Sequence, residues 1–358
     1  MARAAVALIT LLGGIRRFAT LDDQSIWRDE ALTVWQSSMG LGDMLAKLPD
    51  AEGHPPLYPL LEWAMVHAFG DGELAVRTLS ALAGTAAIPV LYAAARTLAS
   101  PRAGLIAAAL LAASPFHLWY SQEARPYALM ILLAAISFLA FAKLTTAPER
   151  RWVVVWAVAS SLALATHYFS AFLLVPEALW LLRTVPIRRA VALGVGALAA
   201  TGAALLPLLL DQRGDSDALW VKGAAGTLRL RGIAEDLLLG PEVHRTAAFA
   251  LAVLVLAGAA AALIRAAPDE RRPVLVTAGL LAAGLAIPVL LKLADLDYML
   301  SRYVAVLLVP LLVTIALALA VRAAGVAGLA GAAVLCAAML AMGALAETDD
   351  DAQREDWR

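Results

Sequence analysis

Asp29 and Glu30 stand side by side, directly behind Trp27 and Arg28. Adjacent carboxylates repel, so one is readily held protonated while its neighbour stays ionised; such a pair supplies a base or a metal ligand. The same residues also suit a plainer role, because Asp ahead of Ala31 and Leu32 is a good helix N-cap or part of a solvated turn. Further polar and aromatic clusters follow in order. They are Glu52-Gly53-His54-Pro55-Pro56-Leu57-Tyr58; Phe69-Gly70 with Glu73, Arg77 and Ser80; and Ser114-Pro115-Phe116-His117. Next come the run from Tyr120 through Ser121, Gln122, Glu123, Ala124, Arg125 and Pro126 to Tyr127, then Thr166-His167-Tyr168-Phe169, and finally Ser301-Arg302-Tyr303.

The elements that carry these clusters are apolar. Of 358 residues 62% are hydrophobic and 16% charged, whereas a soluble domain is roughly 45–50% apolar and about 25% charged. The excess lies in blocks long enough for a helix to cross about 30 Å of hydrocarbon. Spans are expected near 2–17, 76–98, 103–120, 125–144, 152–167, 169–183, 189–210, 246–266, 273–292, 302–321 and 324–345. That makes an all-α polytopic membrane protein with about eleven transmembrane helices. The first block is short and follows Arg3, so a signal peptide is its alternative, although no clear small-x-small cleavage site follows.

With the N-terminus inside, every short inside loop is basic: Arg96 and Arg102; Lys143, Arg150 and Arg151; Arg183, Arg188 and Arg189; Arg265, Arg271 and Arg272; and Arg322. The clusters above then fall on the extracytoplasmic face, in a first loop over 17–75, a Gly-rich loop over 211–245, short turns, and a tail over 347–358. Within the first loop, Leu32–Leu48 and His54–Phe69 read as two helices lying in the membrane interface. The net charge of −1 argues against a nucleic-acid partner. The single cysteine, Cys336, excludes an intramolecular disulfide.

The order of these clusters resembles the GT-C superfamily of membrane glycosyltransferases, in particular the branch of protein O-mannosyltransferases (glycosyltransferase family 39) and lipid A aminoarabinose transferases. The likeness is strongest from Trp27 to Tyr127, and no single motif carries it alone. It implies a GT-C transmembrane catalytic domain over 1–346 in a bacterial cytoplasmic membrane. It also implies a polyprenyl-phosphate sugar donor, a hydroxyl acceptor on a lipid, glycan or protein, and Asp29 as general base. Glu30 would assist by hydrogen bonding or by steering a metal, or would only cap the helix. Many relatives continue into a further extracytoplasmic domain, so either the tail is a remnant of one or another polypeptide supplies acceptor recognition.

A lipid phosphate leaving group needs positive charge where negative charge develops. Arg125 and Arg302, each beside a tyrosine, suit that task because a guanidinium forks onto phosphate. Snorkelling to the interface is their plainer reading. Tyr303 and Lys222 join them as donor-phosphate candidates, and His54, Tyr58, Glu123, Tyr127, His167 and Tyr168 are the candidates for contacting substrate. Glu123 could instead pair with Arg125. His54 and His167, two of five histidines, are also candidates to hold a divalent cation such as Mg or Mn, although no HxxxH or HExxH spacing demands one. A lipid-linked sugar flippase or transporter is the rival from another class, and a polysaccharide ligase or polymerase is a second. Against a transporter, acids are nearly absent from mid-span positions, with Glu177 the exception.

Overall fold

The computed structural model describes residues 1–50, 53–212, 226–240 and 245–348, and among these every regular element is helical. The chain opens with α1 (Ala2–Phe18), followed by three helices in the first loop: α2 (Arg28–Ser37), α3 (Leu41–Lys47) and α4 (Leu57–Phe69). Then come α5 (Glu73–Leu98), α6 (Pro101–Ala113), α7 (Pro115–Ser121), α8 (Tyr127–Thr146), α9 (Arg150–Thr166), α10 (Ala171–Thr184) and α11 (Arg188–Gln212). The remainder is α12 (Gly226–Leu239), α13 (Thr246–Arg265), α14 (Pro268–Leu293), α15 (Leu308–Ala320) and α16 (Gly325–Thr348).

Every apolar block read from the sequence holds helix, but length and composition by themselves mark fewer than the expected eleven as crossings. Among the described residues six helices, α5, α8, α11, α13, α14 and α16, are long and apolar enough to cross a membrane. The pair α6 and α7, bent by 60°, makes a seventh if it counts as one span. The other four, α1, α9, α10 and α15, have 17 residues or fewer. Leu193, Leu254, Ile264 and Leu275 stand exposed on α11, α13 and α14, as side chains facing hydrocarbon do. The first loop departs from expectation too. The stretch read as one helix over Leu32–Leu48 is two, divided before Gly40, which caps α3. Within the Gly-rich second loop lies α12, which ends at Gly240 with φ of 84°. A Cβ there would press on Pro115 at 2.9 Å, so glycine lets α12 sit down on the start of α7.

The bend between α6 and α7 follows from Pro115. Having no N–H, it cannot close the helix onto the Leu111 carbonyl, and in hydrocarbon an orphaned carbonyl is costly. Two arginines of α1 supply the missing donors. Arg17, fully buried, donates to Leu111 O at 3.3 Å, Gly13 O at 2.8 Å and Ser121 Oγ at 3.2 Å, and also meets His117 Nδ1 at 2.7 Å. Arg16 donates to Ala113 O at 3.2 Å. On the far side of the break, Ser114 Oγ accepts from His117 N at 3.2 Å, capping α7. Mid-span Glu177 is fully enclosed, with Ser137 Oγ and Trp156 Nε1 donating to one oxygen at 2.7 and 2.8 Å. It lies among α8, α9 and α10 and takes no part in the site described below.

Gly84 of α5 is where this corner is tightest: a Cβ would fall on Ser121 Oγ, 2.7 Å from Ser121 Cβ and 3.1 Å from Arg17 Nε. Gly84→Ala is expected to destabilise the protein by about 1–3 kcal/mol, read as a lower midpoint in thermal unfolding of the detergent-solubilised chain.

Candidate functional site

The site forms at one end of the bundle, where the first loop meets the N-terminal ends of α5 and α8, the turn after α9 and the segment ahead of α15. Its foundation is a fully buried ion pair. Arg77, one turn into α5, donates to Glu30 through Nε at 2.8 Å and Nη2 at 2.7 Å. The remaining Arg77 hydrogens bind the carbonyls of Leu21, Gln24 and Ser25 at 2.7–2.9 Å. Glu30 Oε1 also accepts the backbone N–H of Ala124 at 2.8 Å. One carboxylate thus pins the chain entering α2, helix α5 and the turn before α8 together. Removal of either partner would strand the other charge inside. Glu30, expected beside the chemistry, is placed in this enclosed pair, and α2 is N-capped by Trp27 without a side-chain bond.

Asp29, one residue earlier on the helix, projects from the pinned turn into a partly open space, its side chain 16% exposed. Arg302 Nη1 reaches its Oδ2 at 3.2 Å. Arg125 approaches from the other side, donating to Asp29 O at 3.1 Å and Thr33 Oγ1 at 3.4 Å, and meeting His54 Nε2 at 2.7 Å. Both arginines therefore turn inward instead of snorkelling. Since a guanidinium only donates, His54 Nε2 must accept, and a neutral ring then carries its proton on Nδ1. Burial, then the charges of Arg125, His167 and Arg302, hold His54 well below the usual histidine range, so neutral is its resting form. Its buried Nδ1 has no hydrogen-bond partner among the described residues, leaving a donor available in the site.

Rings line the rest. From Phe116 the row passes to Tyr120 at 4.9 Å, Tyr127 at 4.7 Å, His167 at 5.5 Å, Phe169 at 5.2 Å and Tyr303 at 4.5 Å, centroid to centroid. His54 lies 5.2 Å from His167, and the Arg302 guanidinium sits 5.5 Å over the Tyr303 ring. Tyr58 and Tyr168 stand further back. Tyr58 meets Ser80 Oγ at 3.4 Å, and Ser80 Oγ donates to Arg125 O at 3.2 Å. Tyr168 donates to Gln212 Oε1 at 3.0 Å, and Gln212 Nε2 in turn reaches Leu48 O and His54 O at 2.8 and 3.1 Å. Glu123 is buried one residue before the Ala124 amide, and Lys222 lies outside the described residues.

Three residues escaped the sequence reading. Arg77 was one member of a motif without a role; its spacing from Glu73 and Ser80, at i, i+4 and i+7, was the available signal. Gln212 closes α11 onto the first loop and carries no pattern. Asp236 of α12 accepts from Ser301 Oγ and pairs with Arg245, so the second loop tethers the segment carrying Arg302. For a divalent cation the surroundings fit poorly. No group of three His, Cys, Asp or Glu gathers among the described residues, His54 Nε2 is taken, and two guanidiniums crowd the imidazoles.

Comparison with known proteins bears out the resemblance. Residues 53–209 match the family model described as dolichyl-phosphate-mannose-protein mannosyltransferase. No curated protein matches the chain. In fold it is similar to ArnT from Cupriavidus metallidurans bound to undecaprenyl phosphate, with TM-score 0.64 and 17% identity over 89% of this chain and 60% of that one. It is also similar to the oligosaccharyltransferase AglB from Archaeoglobus fulgidus in complex with an inhibitory peptide and a dolichol-phosphate, with TM-score 0.61 and 13% identity over 99% and 56%. The chain thus has a GT-C fold and spans 56–60% of the length of these two proteins.

Two outcomes follow from the buried acids. Glu30→Gln should cost about 3–5 kcal/mol, because it leaves Arg77 uncompensated, seen as loss of the folded fraction in thermal melts. Glu62 of α4 is pushed up to about 8 by burial and the nearby Glu30 charge, against the opposing hydroxyl of Tyr58. A raised carboxyl stabilises the folded state most at low pH, and that contribution is lost as pH climbs from the ordinary carboxylate range, about 4.5, to about 8. The melting temperature of Glu62→Gln relative to wild type should therefore rise across that window and level off above it.

Proposed function

We propose that this chain is an inverting glycosyltransferase that moves a sugar from a polyprenyl-phosphate-linked donor to an acceptor hydroxyl, with Asp29 as general base, on the extracytoplasmic face of a bacterial cytoplasmic membrane. The observation that carries this reading is Asp29 and its neighbours: a partly open carboxylate with Arg302 on its side chain and Arg125 on its backbone, at the rim of an apolar bundle. The family model over 53–209 and the undecaprenyl phosphate in the ArnT structure support the donor class.

The chemistry needs three things of these residues. As the acceptor oxygen attacks the anomeric carbon, its proton passes to the Asp29 carboxylate. The bond from that carbon to the phosphate oxygen breaks with its electron pair, so the lipid phosphate leaves with one more negative charge. Arg302 and Arg125 stand where that charge grows, and the free N–H of His54 adds a neutral donor. Attack opposite the phosphate inverts the anomeric centre, through a transition state of oxocarbenium character.

In this structure the Asp29 carboxylate is held by Arg302. A carboxylate already bound to a guanidinium is a poor base, and a guanidinium already bound to a carboxylate is a poor phosphate ligand. When the donor phosphate takes over Arg302, both groups are released to their tasks. The row of rings from Tyr120 to Tyr303 offers faces on which a sugar ring or prenyl chain packs. A metal has no step in this scheme.

Labelled sugar transfer from a panel of polyprenyl-phosphate donors, with and without chelator, tests the reading. Asp29→Asn should lower turnover by about 10²–10⁴-fold with donor binding retained, whereas Arg302→Ala should weaken donor binding itself. Vesicle translocation of a labelled donor that survives Asp29→Asn, with no transfer by wild type to any acceptor, would favour the transporter instead.

A further inference from the structure

At the end of the bundle opposite the site, helices α10 and α14 leave an open cleft of about 550 Å³ between them. Its mouth is formed by Thr184, at the last residue of α10, and by Arg271 and Arg272, in the first turns of α14. One turn deeper its walls become Trp180, Leu275 and Val276. Leu275 is 62% exposed, on a helix long and apolar enough to span a membrane. The cleft therefore opens sideways where the apolar run of α14 begins, with two cations at headgroup level and an indole and two aliphatic side chains at acyl level.

The two cations are not consumed by the protein. The acids next to them on α14 are taken by Arg322, which reaches Asp269 at 3.5 Å and Glu270 at 3.1 Å. Arg271 spends one Nη on the carbonyl of Ile264, and its buried Nε has no hydrogen-bond partner among the described residues. Arg272 is exposed, and neither arginine makes an ion pair among the described residues. Arg183, Arg188, Arg189 and Arg265 lie at the same end of the bundle and add positive potential without a described carboxylate to cancel it.

We infer that this cleft is a binding site for an anionic phospholipid, whose phosphate sits on Arg271 and Arg272 while its glycerol and first acyl carbons lie against Trp180, Leu275 and Val276. The lining separates this from a purely basic surface: two arginines stand one helical turn from an indole and two aliphatic side chains, a combination that suits an amphiphile better than a soluble anion. A basic pocket between membrane helices recognises an acidic headgroup in this way. The inference does not depend on the proposed transferase activity.

The test uses the full chain reconstituted in bilayers of equal parts phosphatidylglycerol and phosphatidylcholine, then released into mild detergent for native mass spectrometry of the lipids that stay bound. With about a factor of five per basic residue, wild type should retain phosphatidylglycerol over phosphatidylcholine by about twenty-five-fold. Arg272→Gln should cut that preference by about fivefold. Because Arg272 is exposed, this variant should melt with wild type, so a folding failure of the double variant would not obscure the result. The double variant of Arg271→Gln and Arg272→Gln should bring the ratio close to one. Equal retention of both lipids by wild type, or an unchanged preference in Arg272→Gln, would overturn the inference. So would displacement of phosphatidylglycerol from wild type by an equimolar polyprenyl phosphate, which would make the slot a second seat for that lipid.

Discussion

The pairing of Arg77 with Glu30 is the constraint on which this end of the molecule depends. A loop that crosses the top of a membrane bundle has few apolar contacts to fix it, and the three short helices of the first loop would otherwise rest on the rim. By placing every hydrogen of one guanidinium, the protein joins three carbonyls of the incoming chain, a carboxylate of α2 and, through that carboxylate, the amide before α8. Such an arrangement is tolerable inside because every guanidinium hydrogen and both carboxylate oxygens are answered. Asp29 inherits its position from this anchorage and contributes nothing to it through its own side chain.

The same accounting governs the break between α6 and α7. Pro115 frees carbonyls that hydrocarbon would not forgive, and Arg16 and Arg17 answer them from α1. Breaking the helix there lets α7 turn across the bundle, and it brings Phe116 and Tyr120 into the row of rings that continues to Tyr303. A backbone defect on one element, repaired by side chains on another, thus shapes a wall of the site. At the opposite end Arg102 and Arg271 likewise answer helix-end carbonyls, whereas Arg272 is exposed and makes no ion pair among the described residues.

Much of this was legible in the sequence. Apolar blocks located every long helix, because hydrophobicity over some twenty residues reports directly on the surrounding medium. The clusters around Asp29, His54, Arg125, His167 and Arg302 do converge. What could not be read was division of labour. Asp29 and Glu30 are chemically near twins in a line of text, yet successive helix positions differ by 100° in direction, so one faces the open site and the other the sealed interior. Tyr168 and Gln212 meet across forty-four residues through a contact that leaves no periodic trace. The crossing count was not legible because α1, α9, α10 and α15 are short, and helices sheltered by their neighbours need not be as long or as apolar as those bathed in lipid.

The carboxylate that occupies Arg302 also sets how an incoming anion is found. With Asp29 against Arg302 and Glu30 against Arg77, these opposite charges cancel within a few ångströms, and their field decays quickly outside the protein. On the proposed reading, these two pairs add little long-range attraction for a negatively charged headgroup. It would then reach Arg302 by lateral diffusion along the bilayer and direct exchange with Asp29, a route open to a tethered amphiphile more than to a dissolved phosphate at the same bulk concentration.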